Sequence, residues 1–352
     1  MKEKAVAIVR SDCERIASQI EREADVLRGS SILITGGSGF IGSWLVSLIC
    51  CLNNQFGKNI KLRVMARDQD RFLKTLNVAT DASNVEFIRC DIRSMVELPK
   101  DVNYVIHAAA NPDSRYHSSN PIETMTTISE GTGAVLRAAD RVSDLRMFLN
   151  ISSSSVYGAI DEKALSELTD GLSLCLANKS PYAEAKRYAE ALCAAARSEA
   201  RIPVVTVRPF TFIGPFQNLD APWAINNFMS DAIRKRPIRV LSDGNTVRSI
   251  MYGADLAAWL LIIMLRSKSG RTYNVGSPIG TKLFDLAMKV ADHTHPRPEV
   301  ILNASLTGTT QHSRLVPDTT SAQSEFNLSI FTDLDEAISR TMLWYESLGS
   351  VE

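Results

Sequence analysis

The stretch Ser31-Ile32-Leu33-Ile34-Thr35 runs directly into Gly36-Gly37-Ser38-Gly39-Phe40-Ile41-Gly42, and no other segment restricts folding as tightly. Ile32 to Ile34 end where the glycines begin, the pattern of a buried parallel strand that gives way at once to a helix. Gly36 permits a tight turn, Gly39 lets backbone N–H groups approach a pyrophosphate, and Gly42 lets the helix lie against the strand. The amphipathic run from Ser43 to Cys51 would turn the helix's unpaired N–H groups and positive dipole end toward the phosphates. The turn therefore reads as a nucleotide-cofactor site. The same glycines would also serve a plain strand-to-helix turn, so the rest of the chain has to decide.

Strand signals recur in alternation with helical ones. Apolar segments at Ile60–Ala66, Val85–Ile88, Tyr104–His107, Met147–Ile151 and Val204–Val207 are separated by helical stretches at Arg71–Leu76, Pro121–Arg141 and Tyr182–Ala200. That order predicts an α/β fold, a Rossmann-like doubly wound parallel sheet. Beyond Gly214-Pro215 the pattern loosens. Helices are expected near Ala224–Lys235, Leu256–Leu265, Phe284–Asp292 and Leu334–Tyr345, and short strands near Ile238–Leu241 and Arg271–Val275. The expected organisation is an N-terminal helical extension over 1–29, a dinucleotide-binding domain over 30–213, and a smaller C-terminal α/β lobe, mainly substrate-binding, over 214–352. Substrate should lie between the lobes, at the carboxyl ends of the strands.

The 352 residues carry 39 Lys plus Arg against 39 Asp plus Glu, so no global field draws nucleic acid or an anionic membrane, and a small-molecule partner is expected. Leu256–Leu265 is too short to span a bilayer, and Asp255 before it reads as a helix N-cap. The N-terminus lacks the apolar core of a secretory signal, which suggests a cytoplasmic enzyme. Cys13, Cys50, Cys51, Cys90, Cys175 and Cys193 show no C-x-x-C spacing and read as reduced thiols; His293-Thr294-His295 lacks accompanying ligands, so no metal is expected.

Tyr182 and Lys186 lie four residues apart, on one face of a helix, so the ammonium can sit near the phenol. A neighbouring cation would favour the phenolate and move its pKa downward, making Tyr182 a general base, although an exposed tyrosine beside an unrelated lysine has the same spacing. The glycine turn, the serines Ser152–Ser155 ahead of Val156-Tyr157-Gly158, and Ser180-Pro181-Tyr182-Ala183-Glu184-Ala185-Lys186 together resemble the extended short-chain dehydrogenase/reductase family. Within it, the chain looks like the nucleotide-sugar epimerases, dehydratases and reductases, over roughly Ser31 to Tyr345.

The resemblance implies a catalytic Ser153, Tyr182 and Lys186, with Ser153 three residues before Val156. It implies cofactor contacts at Gly36, Gly39, Phe40, Ile41, Gly42, Arg67, Asp91, Ile92, Ala108, Ala109, Tyr182 and Lys186, and substrate contacts at Ser153, Thr211, Arg248 and Arg314. Asp91 would contact adenine, though a helix cap is an equal reading. Arg248 would grip the substrate diphosphate, and Arg314 could be a second such arginine. Arg67, at the end of the second strand, suits the extra phosphate of NADP(H); NAD(H), with Asp68 on the ribose, is the alternative.

Ser154 and Ser155 stand where the family's dehydratases carry an acidic pair and its sugar-acid decarboxylases a Glu, so hydroxyl-to-ketone redox at sugar C4 without elimination is expected. Thr211, Ile128 and Ser249 replace an Asn, an Asn and an Asp of the family pattern. The expected activity is therefore an NAD(P)-dependent nucleotide-sugar epimerase working through a 4-keto intermediate. The alternatives are an NADPH-dependent 4-keto-sugar reductase and a non-catalytic dinucleotide-binding protein. By the same likeness a homodimer is expected, through the helices near Pro121–Arg141 and Tyr182–Ala200.

Overall fold

The Ile32–Ile34 run lies at the centre of β1, Ser31–Thr35, whose residues are all buried, and the sheet grows outward from it on both sides. The computed structural model describes residues 2–73, 84–158, 164–169, 171, 181–302 and 313–349. The helix expected at Arg71–Leu76 is described only as far as residue 73, and Cys175 and Ser180 lie outside the described residues. Numbered in chain order, the other strands are β2 Lys61–Ala66, β3 Val85–Arg89, β4 Tyr104–His107, β5 Met147–Ile151, β6 Val204–Pro209, β7 Phe212–Ile213 and β8 Ile238–Val240. They continue with β9 Val247–Ser249, β10 Met251–Tyr252, β11 Thr272–Val275, β12 Gly280–Lys282, β13 Val300–Leu302 and β14 Arg314–Leu315.

Seven strands form the main sheet in the order β11-β6-β5-β4-β1-β2-β3, and every pairing in it is parallel. All seven carboxyl ends therefore meet at one edge. β1 shows how both faces are filled: Ile32 and Ile34 join one apolar cluster, and Leu33 joins another on the opposite side. The first cluster contains the helices Phe40–Phe56 and Gly253–Arg266, and the second contains residues of Pro121–Ala139 and Pro181–Glu199. Cys50 and Cys51 are buried on Phe40–Phe56, as a helix so apolar requires.

Two elements expected in the smaller lobe complete the large unit instead. Residues 272–275 form β11, the sheet's edge strand, in register with Thr206–Pro209, and Gly253–Arg266 packs beside Phe40–Phe56. The helix is apolar all round because it is enclosed all round: Ala254 to Met264 are all buried. No helix among the described residues is long and apolar enough to cross a membrane. Asp255 is not the N-cap of this helix, which begins at Gly253; its buried Oδ1 accepts from the backbone N–H groups of Phe331 and Thr332, tying down the approach to the helix Leu334–Leu348.

Ahead of the sheet, Lys2–Ile20 is one helix, followed by a 3-10 turn at Glu23–Leu27. Its Ala5, Val9, Ile16 and Ala17 are fully enclosed against Phe40–Phe56, Gly253–Arg266 and Leu334–Leu348. Beyond the sheet, β9 pairs antiparallel with β12 and parallel with β14, while β7 pairs with β10 and β8 with β13.

Candidate active site

At the end of β1 the backbone turns at Gly36, with φ +71°, and a Cβ there would stand 2.7 Å from the Ala109 backbone. Only glycine fits. Gly42 is equally constrained by its neighbours, its absent Cβ falling 2.4 Å from the Cα of Gly37. Gly39 is the N-cap of Phe40–Phe56 in extended conformation, and no side chain caps the helix start. The N–H groups there remain available to an anion, with the small Ala108 and Ala109 of the β4 end alongside. This cradle fits the pyrophosphate of a dinucleotide, which Gly36, Gly39, Phe40, Ile41 and Gly42 could hold through backbone.

Arg67 and Asp68 follow β2 and are exposed. Asp68 accepts from the Arg71 backbone N–H and so caps the short helix after it, while Arg67 is close enough to Asp91 and Tyr116 to act on their charges. Asp91 and Ile92 follow β3. The Asp91 carboxylate accepts from the backbone and guanidinium of Arg93, and this pairing holds it down near about 2. It acts as the cap that the sequence left open, and it still lies half-buried at the sheet edge.

The three expected catalytic side chains do come together. Ser153, just past β5, lies close enough to the phenol of Tyr182 to act on its ionisation and meets Ser155 Oγ at 2.9 Å. Lys186, one helical turn on from Tyr182, places Nζ 5.8 Å from the phenol ring centroid and donates to the Ile151 carbonyl at 2.7 Å. The electrostatics differ from the simple cation argument. Burial pushes the Tyr182 phenol up to about 12 despite the Ser153 hydroxyl, and the same burial brings Lys186 down to about 8. The expected downward shift of Tyr182 is thus overturned: both groups lose water, and the charged form of each is penalised.

Behind them lies a polar floor that motif reading did not identify. Glu190, a further turn along the same helix face, hydrogen-bonds Ser152 and takes a bidentate pair from Arg208 at 2.7 and 3.0 Å. Arg208 also donates to Tyr157, which donates to Asn274 at 2.7 Å. The i+4 spacing from Lys186 to Glu190 is visible in sequence, but its partner on β6 is not. Buried His107 bridges Thr35 at 2.9 Å and Thr132 at 3.1 Å, and burial drives its pKa down to about 3, so it is a neutral strut.

On the substrate side, Phe40 of the glycine turn stacks on Phe212 of β7 with centroids 4.6 Å apart, and so brings Thr211 and β7 over the cradle. Arg248 on β9 is half-buried, its guanidinium donating to the Val247 and Ser313 carbonyls and to Ser313 Oγ. Burial lowers its pKa, and among the described residues no carboxylate pairs with it, which leaves its charge for an anionic ligand. Arg314 lies on the adjacent strand β14, opposite Val247 in register. Ser249, in place of the family's Asp, is fully buried with its hydroxyl unpaired.

Residues 32–276 match the family model described as the NAD dependent epimerase/dehydratase family. Among curated proteins, UDP-glucuronic acid decarboxylase 1 of Arabidopsis thaliana is 30% identical over 88% of this chain and 68% of its own length. The trifunctional UDP-glucose 4,6-dehydratase/UDP-4-keto-6-deoxy-D-glucose 3,5-epimerase/UDP-4-keto-L-rhamnose-reductase of the same plant is 26% identical over 90% of this chain. This chain spans only 47% of that relative. Among solved structures, the UDP-glucuronic acid 4-epimerase of Bacillus cereus in complex with UDP-glucuronic acid and NAD superposes with a TM-score of 0.75. It is 25% identical, over 90% of this chain and 99% of that one. The UDP-glucose 4-epimerase of Thermotoga maritima, at 20% identity, superposes with a TM-score of 0.77 over 91% of this chain and 100% of its own. At that identity the likeness bears on the fold.

Proposed function

This chain belongs to the NAD dependent epimerase/dehydratase family, and on that premise we propose that it is a nucleotide-sugar 4-epimerase working through a 4-keto intermediate. The observation that carries the reading is the grouping of the Ser153 hydroxyl, the Tyr182 phenol and the Lys186 ammonium one turn away, at the strand edge that also holds the glycine cradle. A dinucleotide cradled by Gly36, Gly39, Phe40, Ile41 and Gly42 would supply the hydride exchange at sugar C4. Tyr182 Oη, once its own proton has passed to solvent, takes the C4 hydroxyl proton as the phenolate and gives it back, and the Ser153 hydroxyl stabilises charge on the same oxygen. Arg248 binds the diphosphate and so orients the sugar.

The neighbours Ser154 and Ser155 speak against elimination and decarboxylation, because Ser155 is hydrogen-bonded to Ser153 and neither hydroxyl is a proton-transfer group at neutral pH. Turnover of a panel of UDP- and dTDP-linked sugars, followed by NMR, tests the proposal. Interconversion of C4 epimers without consumption of reduced cofactor is expected, with Tyr182→Phe lowering kcat by about 10²- to 10⁴-fold. Near-normal turnover in that variant would defeat the mechanism.

A second reading, a 4-keto-sugar reductase using NADPH, draws on two observations. The phenol is held protonated, the form that donates to a ketone oxygen, and Arg67 is exposed at the end of β2 while Asp68 is engaged as a cap. Consumption of one NADPH per product distinguishes it. On either reading we place NADP(H) ahead of NAD(H). Fluorescence titration should show Arg67→Ala weakening NADPH about tenfold and NADH little, and tighter NADH binding in the unaltered protein would remove the preference.

A further inference from the structure

His117 belongs to no motif, and it lies against the reacting phenol. The imidazole stacks on the Tyr182 ring with centroids 4.3 Å apart and planes 6° from parallel. The stack is held from outside. His117 Nε2 hydrogen-bonds the Asn111 carbonyl at 2.6 Å, and the short helix Ser114–Ser119 that carries the imidazole is capped by Asp113, whose carboxylate accepts from the Arg115 N–H. His117 is itself buried, so its ring has little room to tilt. Around the same phenol, Ile128, Ala185, Ala189 and Ala110 form an apolar cluster with Tyr182. The polar groups near it are the Ser153 hydroxyl and the Lys186 ammonium, and the charges that act on His117 are Asp113 and Lys186.

We propose that His117 is a positioning residue: its ring, anchored to the Asn111 carbonyl, sets the plane of the Tyr182 phenol so that Oη stays aimed at the Ser153 hydroxyl and the substrate oxygen. The inference deepens the C4 redox reading and rests on it. Stacking is the operative feature, so a flat apolar ring should replace the imidazole. Burial leaves His117 neutral at neutral pH, and it moves no proton in this role.

Two variants and two readouts test it. In turnover, His117→Ala should lower kcat by about 10²-fold with KM changed less than about threefold, because the phenol is displaced while substrate contacts are kept. His117→Phe should recover most of that loss. Independently of any substrate, the phenol's ionisation is read as the ultraviolet difference between each protein and its Tyr182→Phe counterpart, in a stopped-flow pH jump that precedes alkaline unfolding. With the covering ring gone, water reaches the phenol and His117→Ala should titrate about one pH unit lower than the unaltered protein, while His117→Phe should not move. If the Phe variant is as slow and as shifted as the Ala variant, or if neither differs from the unaltered protein, the positioning role is wrong. Should His117→Ala fail to fold, His117→Leu, which fills the site without a flat ring, takes its place in both comparisons. Should no nucleotide sugar turn over at all, the C4 reading fails while the ionisation measurement still judges the stack.

Discussion

At the scale of single residues, what a side chain lacks matters here as much as what it carries. Gly36 needs both a positive φ and an absent Cβ, whereas Gly39 has φ −84° and a Cβ there would lie 3.3 Å from the Gly36 carbonyl, a contact that small shifts relieve. Gly36→Ala should therefore cost more than about 2 kcal/mol in urea unfolding and abolish dinucleotide binding. Gly39→Ala should keep most of the stability and still weaken the dinucleotide, since its methyl stands where phosphate would approach. If Gly36→Ala unfolds at the same urea concentration as the unaltered protein, the close approach to Ala109 is not a real constraint. Tyr182 and Lys186 teach the companion lesson that spacing predicts neighbours and not acidity. Their i+4 relation places them on one face, but the water each loses sets the direction in which its pKa moves.

At the scale of elements, the helix Lys2–Ile20 shows a charged seam inside an apolar contact. Asp12 is fully buried; Tyr252 donates to its Oδ2 at 2.6 Å, and Arg340 Nη1 lies 2.7 Å from Oδ1, close enough for an ion pair though not aligned as a hydrogen bond. Burial outweighs both and raises the carboxyl to about 6. A carboxyl raised in the folded state favours folding while protonated, so this contribution is complete below its unfolded value near 4 and is lost as pH climbs through about 6. The loss is on the order of 3 kcal/mol across that window. Urea unfolding between pH 4 and 7 should show Asp12→Asn with a flatter profile than the unaltered protein; coincident slopes would contradict the assignment. The seam also explains why this helix, outside the family match at 32–276, is part of the same core: it covers the outer side of Phe40–Phe56 and Gly253–Arg266.

At the scale of the whole molecule, the sequence by itself determined the class of fold and the edge at which chemistry could occur. Ile32–Ile34 before glycines, and apolar runs alternating with helical ones, depend on local periodicity, and all seven sheet strands and both crossover helices beside the site stand within about two residues of their expected places. Tyr182, Lys186 and Ser153 were legible because a helix repeat and a strand-end motif each bring near what is near in the chain. What only the tertiary structure decided is long-range. Residues 272–275 are the seventh strand and not part of the smaller lobe, because pairing with β6 is settled by sheet register and not by the segment's own pattern. Glu190 meets Arg208, Asp255 meets residues 331–332 and His117 meets Tyr182 for the same reason. Burial, which sets the protonation of Tyr182, Lys186 and Asp12, is a property of everything packed around a group, and no spacing along the chain encodes it.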